Sequence, residues 1–190
     1  HMPDPSTPIA ETLEALNDMV VAGKIRLFGC SNLSPAQLRE AMAVAADAGL
    51  RCFVTAQDQW SVLDREIERD LVPLCAENGI AMLPFYPLAK GLLSGKYRRH
   101  AAAPRDSRLA GGADLAQADF DVLEALENFA ILRGFDLLTL AISWLAAQPT
   151  IASVISGASR PEQPARNAAA TGWKMTPEDL AEIDRIVGRG

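Results

Sequence analysis

The chain has 190 residues, of which 49% are apolar and 22% charged, a balance typical of a folded globular domain. Its net charge of -6 argues against a nucleic-acid partner, because a phosphate backbone requires surplus cations. Apolar stretches such as 41–46 are far shorter than the roughly 20 residues of a membrane span, and no signal-like segment opens the sequence, so we expect no membrane partner and a cytoplasmic location.

Strand-like apolar segments alternate with helical ones over the first 84 residues. Thr7 and Pro8 predict an N-cap and a first helical residue. Residues 34–37, Ser-Pro-Ala-Gln, predict a capping box at the start of the second helix. The predicted helices and strands lie, in order, at residues 8–23, 25–30, 34–49, 53–56, 65–77 and 80–84.

Residues 91–118 interrupt this alternation. They are rich in Gly, Ala, Pro and Arg and too long for an ordinary connection, so we predict an irregular loop that is either a functional lid or a disordered excursion. Two helices, near 119–133 and 138–147, precede a short strand at 152–155. A helix led by Pro161 and a last helix capped by Thr176 close the chain.

Strands that alternate with helices predict an α/β fold with a parallel sheet buried on both faces. No GxGxxG motif follows any strand, which favours a barrel over a dinucleotide-binding doubly wound sheet. A complete TIM (β/α)8 barrel needs about 250 residues, so four strands predict about its second half, strands 5–8, in one domain over 1–190. Active sites in such barrels lie at the carboxyl ends of the strands.

Buried free thiols are expected at the cysteines, because Cys30, Cys52 and Cys75 lack the CxxC spacing of a zinc site and are odd in number. No metal site is predicted. Four cations crowd one short segment, at Lys90, Lys96, Arg98 and Arg99, where an anion site and a solvated basic loop are both compatible with the pattern.

Five segments, in order and at matching separations, resemble the aldo-keto reductase family, and its bacterial, potassium-channel-β-like branch in particular. They are residues 1–5 (HMPDP), 23–32 (GKIRLFGCSN), 57–65 (QDQWSVLDR), 87–97 (PLAKGLLSGKY) and 154–158 (VISGA) with Gln163 and Asn167. The resemblance implies NAD(P)H-dependent reduction of aldehydes or ketones to alcohols, with NADPH the usual cofactor and a small carbonyl compound as substrate.

The resemblance also implies the residues of the cofactor site. Ser31, Asn32 and Gln57 match those that bind the nicotinamide carboxamide, with ordinary strand-end capping as the alternative. Phe85 matches the aromatic that stacks on the nicotinamide ring, where Tyr is commoner, and a core Phe is the alternative. The loop over the pyrophosphate matches Leu88, Lys90, Gly91, Leu92, Gly95 and Lys96. The adenosine-phosphate site matches Gly157, Ser159, Arg160, Gln163 and Asn167.

Some positions depart from the family pattern. Ser156 replaces a usual Pro, and Arg166 replaces a usual Glu. Asp58-Gln59-Trp60 replaces Asn-Gln/Glu-Tyr, which places Trp60 either near the substrate or in the core. Arg160 is the candidate for the cofactor's 2′-phosphate, which would favour NADPH over NADH, and a solvated surface Arg is the alternative.

His1 matches the family's catalytic histidine, although a His-Met start is also what a cleaved tag leaves. The catalytic Asp, Tyr and Lys of the family have no counterpart in these 190 residues. A reductase whose first barrel half lies elsewhere is therefore one hypothesis. A noncatalytic cofactor-binding regulatory subunit and an incomplete half-barrel that is inactive or dimerises are the others, so the missing half or a homo-oligomer is a possible partner.

Overall fold

The computed structural model describes residues 1–105, 107, 109 and 113–188. Its helices and strands are, in order, α1 (Ile9–Val21), β1 (Cys30–Ser31), α2 (Pro35–Ala48), β2 (Thr55–Gln57), α3 (Leu71–Glu77), β3 (Ala81–Met82), α4 (Ala113–Ala116), α5 (Phe120–Leu132), α6 (Leu137–Ala146), α7 (Gln163–Ala169) and α8 (Pro177–Ile186). Two short 3₁₀ turns lie at Glu66–Glu68 and Ala89–Ser94.

The chain forms two compact units. The first unit contains His1–Gln59 and Glu66–Leu83, and the second contains Trp60–Arg65 and Pro84–Gly190. All three strands therefore belong to the first unit, and α4 to α8 belong to the second.

The three strands form a parallel sheet in the order β1-β2-β3. Cys30 lies opposite Ala56, and Ala56 in turn lies opposite Met82. A helix follows each of the first two strands, and α3 leads into β3. The predicted α/β class with a parallel sheet is confirmed, while the assignment of these strands to half of a TIM barrel stays a prediction.

The regular strands are shorter than the sequence predicts. At the predicted start of the first strand, the N–H groups of Lys24 and Ile25 donate to the Met19 carbonyl, so the end of α1 satisfies them instead of a neighbouring strand. The predicted strand at 152–155 is reduced to a single parallel bridge, in which Ile155 pairs with Phe85.

Most helix starts agree with the predicted signals. Complete capping boxes begin α2 at Ser34 and α8 at Thr176. The prediction that Thr7 caps α1 is wrong, because its hydroxyl donates to Asp4 Oδ2 at 3.0 Å and the helix begins one residue later. The third helix begins at Leu71 rather than near 65, since Pro73 would clash with the carbonyl four residues before it if the helix extended further back.

The predicted irregular loop at 91–118 contains regular structure in its described part. The 3₁₀ turn Ala89–Ser94 overlaps its start, and α4 lies near its end. Residues 106, 108 and 110–112 lie outside the described residues, so the loop prediction is not tested there.

Each unit has its own apolar core. In the first, α1 packs against α2, with Leu13, Leu38 and Ala45 fully or almost fully buried. In the second, the ring of Trp173 stacks on Phe135 with the ring centres 4.7 Å apart. These buried surfaces supply the hydrophobic stabilisation that keeps the site residues on fixed supports.

No single helix in the described part of the chain is long and apolar enough to cross a membrane. Together, α5 and α6 have the length and apolar composition of a membrane span, but the pair is bent by 86°.

Gly29 allows β1 to approach β2. A Cβ atom placed on Gly29 would lie 2.0 Å from Thr55 Oγ1 and 2.8 Å from the Thr55 carbonyl oxygen.

We therefore expect Gly29→Ala to lower the free energy of unfolding, measured by urea denaturation, by about 2 to 3 kcal/mol. Adding Thr55→Ala should restore part of that loss, since the side-chain clash disappears and the backbone clash remains. Gly157→Ala is the matched control, because its Cβ would meet nothing within 4 Å; equal losses for Gly29→Ala and Gly157→Ala would contradict the steric explanation.

Asp179 is the buried anion of the second unit. It is 4% exposed and accepts hydrogen bonds from Arg133 Nε at 2.8 Å, Trp173 Nε1 at 3.2 Å and the Thr176 N–H at 3.1 Å. Burial acts to raise its pKa, but these bonds outweigh burial and hold the pKa below its ordinary value.

We expect Asp179→Asn to lower the free energy of unfolding by about 1 to 3 kcal/mol at pH 7. The deficit should begin to shrink near the ordinary aspartate pKa and vanish below the lowered one, because a carboxylate with a lowered pKa stabilises the fold only while it is ionised. Asp121→Asn, whose exposed carboxylate pairs with Arg99, is the control and should change stability little. Urea denaturation between pH 7 and pH 3 measures both, and a deficit that does not change with pH would disprove the ionic explanation.

Candidate functional site

Four residues that the sequence assigned to the site meet in the first unit. Ser31 Oγ donates to the Gln57 carbonyl at 2.7 Å, which joins the ends of β1 and β2. Asn32 Nδ2 donates to Ser31 Oγ at 2.8 Å and to the backbone carbonyl of His1 at 3.1 Å. The parallel pairing of β1 with β2 therefore places these residues in one hydrogen-bonded cluster.

The free polar groups of this cluster suit a carboxamide ligand. The two bonds of Asn32 use its amide nitrogen, and no described residue donates to its Oδ1. The side-chain amide of Gln57 makes no hydrogen bond to any described residue, although Gln57 is half-buried. A primary carboxamide needs both an acceptor for its N–H groups and a donor for its oxygen, and these two side chains offer both.

Asn32 has an unusual backbone conformation. Its φ of 58° lies in the left-handed region, which asparagine visits more readily than most residues. Its N–H donates to the Gln57 carbonyl at 3.3 Å, and the same backbone acts against burial by lowering the pKa of Asp58. The end of β2 thus orients the Asn32 side chain through backbone contacts.

Asp58 was not among the predicted site residues. It is only 7% exposed, and burial raises its pKa to about 6. A buried carboxylate beside predicted ligand-binding residues is a functional-site signal that only the structure reveals. In the sequence, its position directly after Gln57 was the one available hint.

The cysteines of the first unit are free, as predicted. The predicted burial holds for Cys75 only, because Cys30 and Cys52 are half-buried. Burial raises the pKa of Cys30 to about 12 and that of Cys75 to about 11, and the negative charge of Asp58 adds to both shifts. The described residues contain no cluster of His, Cys, Asp and Glu that could bind a metal ion.

The second unit carries the predicted nicotinamide-stacking residue, Phe85. Its backbone forms the bridge to Ile155, and its carbonyl accepts the Trp60 N–H at 3.3 Å. Its half-buried ring meets Tyr86 edge-on, with the centres 5.2 Å apart. One face of the ring is therefore not occupied by Tyr86.

Trp60 is a core residue of the second unit. It is 1% exposed and packs edge-on against Trp144, with the ring centres 5.9 Å apart. A side chain so deeply buried presents almost no surface to a substrate. The structure therefore favours the core alternative for Trp60, and its predicted substrate contact stays untested.

The predicted pyrophosphate loop is a tight turn. Lys90 and Gly91 have φ values of 58° and 105°, and Ser94 Oγ closes the turn by donating to the Gly91 carbonyl at 2.7 Å. A Cβ on Gly91 would lie 3.1 Å from Lys96 Nζ, so the ammonium group lies against the backbone of the turn. Leu88 is half-buried beside this turn and packs against the cluster of Leu138, Ile142 and Ala170.

The remaining predicted members of this loop are Leu92 and Gly95. Both are half-buried, and Gly95 ends the 3₁₀ turn with a φ of 74°. The structure places this group around one turn, and the Lys96 ammonium lies against the turn's backbone; the assignment of the group to a pyrophosphate stays a prediction.

The predicted adenosine-phosphate residues form a second loop of the same unit. Gln163 Oε1 accepts the N–H groups of Ser159 at 2.6 Å and Arg160 at 3.1 Å, while Asn167 Nδ2 reaches the Gly157 carbonyl at 3.5 Å. Gln163 and Asn167 thus shape the loop, and the exposed Ser159 and Arg160 remain available to solvent.

A cleft of about 570 Å³ lies beside this loop. Asn167 and Ser156 contribute polar groups to a largely apolar lining. The Ser156 hydroxyl is buried and lacks a hydrogen-bond partner within the described structure, which marks the position where the family pattern has Pro. Arg166, which replaces the family's usual Glu, pairs with Asp136 at 2.9 Å.

Comparison with known proteins agrees with the resemblance seen in the sequence. A model of the aldo/keto reductase family matches residues 1–187. A probable voltage-gated potassium channel subunit beta of Arabidopsis thaliana is 35% identical, over 98% of this chain and 60% of its own length. The NADH-specific methylglyoxal reductase of Escherichia coli K12 is 32% identical, over 91% of this chain and 52% of its own length.

A solved structure is also similar to this chain in both fold and sequence. The glycerol dehydrogenase of Gluconobacter oxydans superposes with a TM-score of 0.83 and 30% identity, over 100% of this chain and 57% of its own. The chain thus spans between 52% and 60% of the length of these three proteins. By its sequence over residues 1–187, the chain belongs to the aldo/keto reductase family.

Proposed function

We propose that this chain carries most of the cofactor site of an NADPH-dependent reductase that converts aldehydes or ketones to alcohols. The observation that supports this most is the hydrogen-bonded cluster of His1, Ser31, Asn32 and Gln57. It leaves an amide oxygen and an amide group unpaired in the described structure, as a nicotinamide carboxamide requires. NADPH, when bound, supplies the hydride for carbonyl reduction.

In this proposal the first unit binds the nicotinamide. Gln57 and Asn32 exchange hydrogen bonds with the carboxamide, while Ser31 fixes Asn32. His1 contributes a polar group for the substrate carbonyl, and its backbone carbonyl already anchors the Asn32 amide at 3.1 Å. Carbonyl reduction also needs a proton donor for the developing alkoxide, and the Tyr that supplies it in this family has no counterpart in these 190 residues.

Other proposed cofactor ligands are residues of the second unit. Phe85 offers a ring face for stacking on the nicotinamide. The Gly91 turn with the Lys96 ammonium suits the pyrophosphate, because close backbone approach and a nearby cation both favour an anion. The exposed guanidinium of Arg160 is the proposed ligand of the 2′-phosphate.

Three broader statements belong to the same proposal. The chain supplies strands 5–8 of a TIM barrel over residues 1–190, its long loop at 91–118 covers the cofactor, and the substrate is a small carbonyl compound. The parallel sheet and the family membership support the barrel. The cytoplasmic location stays a prediction.

A noncatalytic cofactor-binding subunit is the second candidate. The observation that favours it is the 35% identity to a probable potassium channel subunit beta. Both candidates require cofactor binding, and they differ in turnover. Sustained NADPH oxidation with aldehydes would favour the reductase, and binding without turnover by a protein that contains the complete barrel would favour the subunit.

Gln57→Ala tests the carboxamide site directly. Its side chain makes no hydrogen bond within the described structure, so its removal should leave the fold intact while NADPH binding weakens by about 10-fold, as expected for the loss of one or two hydrogen bonds. Fluorescence titration with NADPH measures the affinity, and circular dichroism verifies the fold. Gln148→Ala, near the end of α6, is the matched control. Unchanged NADPH affinity in the folded Gln57→Ala variant would disprove the assignment.

Arg160→Ala tests the 2′-phosphate assignment. We expect NADPH to bind about 5- to 10-fold more weakly and NADH to bind unchanged, because a charge-assisted bond to phosphate is lost with only one of the two cofactors. Arg166→Ala is the matched control, since that guanidinium already pairs with Asp136. If both cofactors lost affinity equally, Arg160 would not contact the 2′-phosphate.

A further inference from the structure

Two of the four clustered cations of the chain are bound to α5. Arg98 Nη1 and Nη2 donate to the two carboxylate oxygens of Glu127, at 2.6 Å and 2.9 Å. Arg99 Nε and Nη2 donate to the carboxylate of Glu124, each at 3.1 Å, and Nη2 also contacts Asp121. The three acidic residues are three positions apart along α5 and so lie on one side of the helix. Both arginines therefore hold the chain against α5 instead of offering their charge to a ligand.

Lys96 is used differently. Its side chain is exposed, and no carboxylate in the described ranges of the chain pairs with it. Its ammonium group lies over the ring of Tyr97, 5.1 Å from the ring centre. A Cβ atom on Gly91 would lie 3.1 Å from Lys96 Nζ and 3.6 Å from Tyr97 Cε2, so the ammonium group and the ring lie against the same backbone. An exposed lysine ammonium group in this position suits a phosphate ligand.

Tyr97 links this lysine to the ion pair. The ring is buried, and its hydroxyl accepts the Leu109 N–H at 3.3 Å. The attraction between an exposed ammonium group and the face of an aromatic ring is weak, so the position of Lys96 depends on how firmly the ring is held. Arg98 follows Tyr97 directly, and its ion pair therefore fixes the chain one residue beyond the ring.

Glu127 contacts the turn as well as Arg98. A Cβ atom on Gly95, which ends the 3₁₀ turn, would lie 3.6 Å from Glu127 Oε1. The same oxygen accepts the hydrogen bond from Arg98 Nη2. The half-buried carboxylate thus lies between the end of the turn and the guanidinium group, which neutralises its charge beside the turn.

We propose that Arg98 and Glu127 are positioning residues for the cofactor's pyrophosphate. Their ion pair ties the chain directly after Tyr97 to α5, and so keeps the Lys96 ammonium group against the backbone at Gly91. Neither residue needs to touch the cofactor, because both act through Lys96. The identity of the anion rests on the proposed function, whereas the placement of Lys96 by the ion pair is independent of any ligand.

Position and charge predict different results when the ion pair is broken. Arg98→Glu removes a cation, so both effects weaken the binding of an anion. Glu127→Arg adds positive charge beside the turn, so charge alone would strengthen anion binding, while loss of the ion pair would weaken it. The double variant Arg98→Glu/Glu127→Arg keeps the total charge and can form the ion pair in reverse.

The first test is NMR spectroscopy of the chain without cofactor. The ring of Tyr97 should shift the ε-methylene protons of Lys96 upfield, and NOEs should join the two side chains. Arg98→Glu and Glu127→Arg should each reduce the shift and the NOEs, and the double variant should restore most of both. Lys96 signals that are the same in the wild-type chain and in both single variants would overturn the proposal.

The second test measures the binding of inorganic pyrophosphate and of NADP⁺ by calorimetry at one ionic strength. We expect Arg98→Glu to weaken binding by about 3- to 10-fold and Glu127→Arg by about 2- to 3-fold, with the double variant within about 2-fold of the wild-type chain. Stronger binding by Glu127→Arg would mean that charge alone links this ion pair to the anion, and would contradict the positioning role.

Arg185 and Glu182 on α8 provide the matched control. They form an ion pair within the same unit, and their exposure is close to that of Arg98 and Glu127. Arg185→Glu and Glu182→Arg should leave the Lys96 signals and both affinities unchanged. Urea denaturation of every variant verifies the fold, because exposed ion pairs contribute little to the free energy of unfolding.

The outcomes separate this proposal from the proposed function. If the wild-type chain binds neither pyrophosphate nor NADP⁺, the proposed function fails, and the Lys96 signals alone decide whether the ion pair positions this side chain. If all variants bind both ligands as tightly as the wild-type chain, the positioning role fails and the cofactor site stands.

Discussion

The parallel pairing of β1 with β2 is the constraint on which the candidate site depends. Gly29 makes the pairing possible, since any side chain there would collide with Thr55. Ser31 Oγ then donates to the Gln57 carbonyl at 2.7 Å, and these two residues are the last pair of the two strands. Carboxyl ends of parallel strands lie at one edge of a sheet, so polar residues that follow them in sequence meet in space.

The site therefore combines rigid support with unfavourable local features. Asn32 adopts a left-handed backbone conformation, and Asp58 is buried with a raised pKa. Both features cost stability, and both occur at the residues that follow β1 and β2. Proteins commonly accept such costs at functional sites, where a side chain must be held in one orientation before the ligand arrives.

The second unit organises its loops differently. Its candidate phosphate-binding turn is closed by Ser94 and carries Lys96 against the Gly91 backbone. Its last loop is shaped by Gln163, which accepts two backbone N–H groups. In both loops the side chains that shape the backbone are predicted ligand residues or their neighbours, so loop geometry and ligand binding depend on the same few groups.

Short-range patterns in the sequence predicted most of the helices, the parallel α/β class and the family, but not the start of α3 or the presence of α4. Capping boxes at Ser34 and Thr176 could be predicted because a cap involves residues only three positions apart. The tertiary structure alone decided the extent of the strands, the burial of Trp60 and the environment of Asp58. Those properties depend on residues distant in sequence, such as Trp144 for Trp60, and on the removal of water from a group, which no local pattern records.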